Sequence, residues 1–115
     1  MSEQFVIHIH RGYGDDHYDL MIEQGQALAT WQLPASAAAL EGPCEAMRLA
    51  DHRRHYLAYE GPVSNNRGSV TVVDRGECTV LTCLDDRWVV EFHGRLLQGR
   101  RELVRLRGDR WQLRP

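Results

Sequence analysis

The stretch Gln4-Phe5-Val6-Ile7-His8-Ile9-His10, followed after a glycine loop by His17-Tyr18-Asp19-Leu20-Met21-Ile22-Glu23-Gln24, decides the fold class. Both segments alternate with a period of two, as strands do when successive side chains point to opposite faces. In the first, Phe5, Ile7 and Ile9 share one face while Val6, His8 and His10 share the other. In the second, Tyr18, Leu20 and Ile22 share one face and His17, Asp19, Met21 and Glu23 the other. The connecting Arg11-Gly12-Tyr13-Gly14-Asp15-Asp16 has two glycines suited to a turn, and Gly25-Gln26 turns the chain into a third strand, Ala27–Leu33. The three strands make an antiparallel meander.

Outward from this meander the same pattern continues. Pro34 ends the third strand, and Ser36–Leu40 predicts a single helical turn capped by Ser36 and stopped by Gly42-Pro43. Further strands are predicted at Glu45–Asp51, Ser69–Asp74, Cys78–Leu84, Trp88–His93, Arg101–Arg107 and Trp111–Arg114, with Gly68, Gly76, Gly94, Gly99 and Gly108 between them. No long stretch has helical period. The expected fold is all-β: a small closed or nearly closed antiparallel β-barrel with at most one short helical turn. Trp31, Trp88 and Trp111 are expected in its core.

The 115 residues suit one domain, 1–115, and a hydrophobic share of 43% with 26% charged residues excludes wholesale disorder. No apolar run approaches the roughly 20 residues that span a bilayer. Met1-Ser2-Glu3-Gln4 has none of the features of a signal peptide, so a cytoplasmic location without membrane association is expected. Cys44, Cys78 and Cys83 are odd in number and lack CxxC spacing, which argues for small core hydrophobes rather than a disulfide or thiolate metal site. Every cationic side chain is Arg. Residues 1–86 hold 6 Arg against 13 acidic residues, whereas residues 87–115 hold 8 against 3. This basic final quarter suits contact with a polyanion, or a solvated surface of mixed charge.

Two clusters carry candidate chemistry. His10, His17 and Asp19 fall at the facing ends of adjacent strands, and two imidazoles with a carboxylate leave coordination positions open, as a catalytic metal requires. Manganese, iron or zinc all suit this donor set, with His8 as a further ligand or a hydrogen-bond donor. The plain alternative is a set of polar residues on the wet face of a meander. The second cluster, Asp51-His52-Arg53-Arg54-His55-Tyr56, offers an imidazole, a phenol and two guanidinium groups, or simply a solvated charged loop.

With both clusters in view, the chain resembles the 3′-phosphoesterase domain of bacterial DNA ligase D and its stand-alone relatives. The resemblance rests on His10 followed by His17-Tyr18-Asp19-Leu20-Met21-Ile22-Glu23, then Trp31-Gln32-Leu33-Pro34, then Asp51-His52-Arg53-Arg54-His55-Tyr56-Leu57-Ala58-Tyr59-Glu60-Gly61. Gly68–Gly76, Phe92–Arg100 and Leu103–Arg105 continue it in order over nearly the whole chain. It implies a small β-barrel that trims 3′ ends of DNA breaks, removing a terminal ribonucleoside and then the 3′-phosphate. It also implies a divalent cofactor, typically Mn²⁺, held by His10, His17 and Asp19. His52 and Tyr56 would contact the scissile phosphate, and His8 would line the site where the family has Gln. The partners implied are nucleic acid 3′ ends, DNA or a DNA/RNA junction, and a separate DNA ligase.

Three positions depart from that pattern. Met21, Ala35 and Cys44 stand where the family has Arg, Lys and Arg. Cations that gather phosphoryl charge are worth orders of magnitude in rate, so Arg48, Arg53 and Arg54 become candidate replacements. Two functions follow: a metal-dependent phosphoesterase acting on 3′ ends, or a catalytically degenerate relative that serves as a nucleic-acid or protein binding module.

Overall fold

A computed structural model describes residues 3–115. The strands are β1 (Glu3–Arg11), β2 (His17–Gln24), β3 (Ala27–Pro34), β4 (Cys44–Arg53), β5 (Gly61–Pro62), β6 (Ser69–Cys83), β7 (Arg87–His93), β8 (Gln98–Arg107) and β9 (Arg110–Arg114). Their order is β1-β2-β3-β4-β9-β8-β7-β6, and β6 pairs back onto β1, closing an eight-stranded antiparallel barrel. The two-residue β5 adds to the outer edge of β6. The predicted helical turn is α1 (Ala37–Glu41), with Ser36 Oγ accepting from the Ala38 N–H at 3.2 Å. A 3₁₀ turn at Arg54–Leu57 occupies the charged segment after β4.

Eight strands enclose just enough space for side chains to fill. The fill here is the inward face read from the alternation: Phe5, Ile7, Leu20, Ile22, Trp31 and Leu33 join Trp88, Phe92, Leu103 and Trp111. The three tryptophans meet edge to face, with Trp31 centred 5.1 Å from Trp88 and 5.6 Å from Trp111.

Two expectations change. Gly76 does not separate two strands, because β6 runs unbroken from Ser69 to Cys83. A Cβ at Gly76 would lie 2.4 Å from the His93 carbonyl oxygen, so this glycine permits close backbone approach instead of a turn. The cysteines also diverge. Cys78 is a core residue whose thiol burial pushes up to about 12, and Cys44 is half-buried and donates to the Ala39 carbonyl at 3.2 Å, but Cys83 is exposed.

The outward face of β1, β2 and β3 carries a second, smaller apolar patch of Val6, Met21 and Leu28, covered by Tyr56 and Leu57 of the 3₁₀ turn. Between that patch and the open end of the barrel lie the polar residues of the meander. The basic strands β7–β9 close the other side of the barrel. Three of their arginines pair across strands with carboxylates: Arg87 with Glu102, Arg100 with Glu91 and Arg110 with Glu45.

Candidate active site

Pairing in register places His10 opposite His17 and His8 opposite Asp19. All four side chains face outward, because Ile7, Leu20 and Ile22 occupy the alternate, inward positions. One ligand atom from each of His10, His17 and Asp19 lies within 4.8 Å of the others. His10 Nδ1 is 3.6 Å from Asp19 Oδ2 and His17 Nε2 is 3.6 Å from Asp19 Oδ1. These separations exceed hydrogen-bond length. They suit atoms sharing an ion, since two ligands bonded at about 2.1 Å with tetrahedral angles lie about 3.4 Å apart.

Both rings are held from behind. His10 Nε2 lies 2.6 Å from the Arg67 carbonyl and His17 Nδ1 lies 3.0 Å from the Asp15 carbonyl. A carbonyl only accepts, so each of those nitrogens carries the proton and the other keeps its lone pair for the cluster. Asp19 is 4% exposed, and its Oδ1 is buried without a hydrogen-bond partner among the described residues. Burial raises its carboxyl pKa, opposed by His17, His52 and His10. A buried carboxylate oxygen without a donor, facing two free imidazole nitrogens, fits a divalent cation.

The cluster opens into a cleft of about 470 Å³, within the range of small-ligand sites. His8, His10, His17, Asp19, His52, Tyr56 and Arg53 line it, so most of the predicted site residues converge. His52 arrives by way of a β-bulge. Thr30 pairs with Leu49 and Leu28 pairs with His52, so β4 carries one extra residue at Ala50-Asp51. The bulge absorbs that residue and keeps His52 outward, opposite Leu28; were the same residues to alternate unbroken from Leu49, His52 would face the core. The Ala50 carbonyl lies 3.0 Å from His52 Nδ1, leaving Nε2 as the free nitrogen. His8 lies deeper, 1% exposed, its pKa lowered to about 4 by burial against the opposing pull of Glu60.

Two predicted phosphate contacts lie elsewhere. The Arg48 guanidinium sits 4.5 Å over the Trp31 ring at the barrel mouth and 3.7 Å from Asp51 Oδ1. Arg48 faces inward because it pairs with Trp31, on the core side of the bulge. Arg54 is ion-paired with Glu23. Neither lines the cleft. In their place stand residues the sequence reading passed over: Tyr13, stacked on His10, and Ser64 and Arg67 in the loop before β6.

The model of the DNA ligase D 3′-phosphoesterase domain family matches residues 8–110. The chain belongs to this family. It is 30% identical, over 93% of its length, to the multifunctional non-homologous end joining protein LigD of Mycobacterium bovis and the multifunctional non-homologous end joining DNA repair protein LigD of Mycobacterium tuberculosis. It spans 15% of the length of those relatives. The three positions where the resemblance implies a cation are Met21, Ala35 and Cys44. Met21 is fully buried between Val6 and Leu28, Ala35 borders a neighbouring groove, and Cys44 pairs with Leu113 of β9, so none of the three brings a charge to the cleft. Among the described residues no helix is long and apolar enough to cross a membrane.

Proposed function

We propose that the protein is a divalent-metal-dependent phosphoesterase that trims 3′ ends of DNA during break repair, removing a 3′-phosphate or a terminal ribonucleotide. The observation carrying this reading is the convergence of His10, His17 and Asp19 in a cleft shared with His52 and Tyr56, within a chain of the ligase D phosphoesterase family. Mn²⁺ is the proposed ion, and other divalent metals suit the same donors. An ion there supplies charge that polarises a phosphoryl oxygen or lowers the pKa of bound water.

The chain supplies the remainder. His10 and His17 present lone pairs from tautomers fixed by backbone carbonyls, which removes the cost of reorienting them. His52 turns its free Nε2 to the cleft as the proposed acid toward a phosphoryl or leaving oxygen, and Tyr56 places a phenol in the same cleft. The non-homologous end joining named for the relatives supports an activity that precedes ligation, and a DNA ligase is the proposed partner.

A primer–template duplex bearing a 3′-phosphate tests the reading. With Mn²⁺ the protein should release phosphate, His17→Ala should abolish release, and His52→Ala should slow it by about 100-fold or more. No release at high enzyme, with an active relative run in parallel, rejects the reading for that substrate. The loss of cations at Met21, Ala35 and Cys44 favours a second reading, a binding module without turnover. In that case DNA affinity persists and falls with salt, while His17→Ala alters metal content alone.

A further inference from the structure

Two arginines line the cleft, Arg53 from the end of β4 and Arg67 from the loop before β6. They differ from the nearby arginines in what they touch. Arg11 pairs with Asp16, Arg48 with Asp51 and Arg54 with Glu23. Among the described residues neither Arg53 nor Arg67 has a carboxylate within ion-pair distance. The cleft's own carboxylates are otherwise engaged, Asp19 by the two imidazoles and Asp51 by Arg48. The positive charge at the mouth is therefore uncompensated.

Arg67 is also the better fixed of the two. Its carbonyl holds His10 at 2.6 Å, which puts its backbone directly behind a cluster residue. Its Nε donates to the Ser64 carbonyl at 2.9 Å and Nη2 lies 3.3 Å from Ser64 Oγ. A guanidinium carries five N–H donors in a fork, so these contacts set its direction and leave donors for an anion. The loop beneath it has no slack: Asn65 and Asn66 are left-handed, and a Cβ on Gly68 would meet the Arg11 carbonyl oxygen at 2.0 Å.

We propose that Arg67 is the cation that grips the terminal phosphoryl group, doing from the β6 side what Met21, Ala35 and Cys44 cannot, with Arg53 as its companion. The proposal rests on the phosphoesterase reading for its substrate, and it is tested without turnover. Binding of the metal-free protein to a primer–template duplex ending in 3′-phosphate is compared by fluorescence anisotropy with binding to the same duplex ending in 3′-hydroxyl. Wild type should prefer the phosphate end, and Arg67→Ala should lose about 10-fold or more of that preference. Arg67→Lys should keep part of it, and Arg100→Ala, on β8 across the barrel from β2, should keep all of it. Mn²⁺ titration of Arg67→Ala should match wild type, because the carbonyl that holds His10 is retained. Unchanged discrimination in Arg67→Ala, or none in wild type, overturns the proposal. Arg67-dependent discrimination without phosphate release in Mn²⁺ would instead remove the enzymatic reading and leave an anion-recognising site.

Discussion

His8 and Asp19 face each other across β1 and β2, and burial shifts their titrations with opposite consequences for stability. Histidine titrates near 6.5 in the unfolded chain but near 4 at His8, so between these values the unfolded state binds the extra proton. Stability should fall as pH drops from 6.5 towards 4, by about 3 kcal/mol for this ring alone. Urea unfolding across that range should show a flatter acid limb in His8→Gln than in wild type. Asp19 is raised, so its folded form holds a proton more tightly, and its contribution is lost as pH rises through the folded pKa. In chelator at neutral pH, Asp19→Asn should therefore be at least as stable as wild type. Asp74 works purely in structure, accepting from the backbone N–H groups of Arg95, Leu96 and Leu97 at 2.8, 3.0 and 2.8 Å. Asp74→Ala orphans three donors and should cost about 3 kcal/mol or more in urea unfolding, with Mn²⁺ binding unchanged. At this scale the sequence was informative about His10, His17 and Asp19, whose spacing follows strand geometry, and about His52 through the family resemblance. It was silent on Arg67, which reaches His10 across 57 positions only because the barrel closes.

Among the elements, β4 carries the most consequential irregularity. Cys44–Met47 pairs with β9 and Met47–Arg53 pairs with β3, and the extra residue falls where β3 is the one paired neighbour among the described residues. Inserting one alanine between Asp51 and His52 should move His52 one position along the strand, out of phase with Leu28, and turn it away from the cleft. The expected result is a cooperatively folded protein whose Mn²⁺ affinity is kept, since the ligands stand on β1 and β2, and whose phosphate release falls about 100-fold. Calorimetry and end-point release measure the two separately. Period-two alternation made β1, β2 and β3 legible within a residue or so at their ends. A bulge leaves no local mark, because one inserted residue in a polar strand end changes neither composition nor period over so short a window. Gly76 shows the reverse difficulty: glycine reads as punctuation, yet here it answers to a carbonyl on a neighbouring strand.

Across the whole molecule, closure divides the surface into two sides. The cleft draws on β1, β2, β3, β4, β6 and the strap between β4 and β6, while the arginine-rich strands β7–β9 lie across the barrel. The compositional asymmetry was plain in the sequence, but its location was not, because strand order depends on which edges finally meet. Since the proposed ion binds only the folded barrel, Mn²⁺ at 100 times its dissociation constant should raise stability by about 2.7 kcal/mol. The rise should vanish in Asp19→Asn, and equal rises in both proteins would place the ion elsewhere. The seam between β1 and β6 bears on the protein's birth as well. A chain emerging amino end first displays all three candidate ligands by residue 19, yet the oxygen that orients His10 belongs to residue 67. Until residue 67 follows, the His10 ring lacks the acceptor that fixes its tautomer, so a half-made copy has the candidate ligands without the contact that aims one of them.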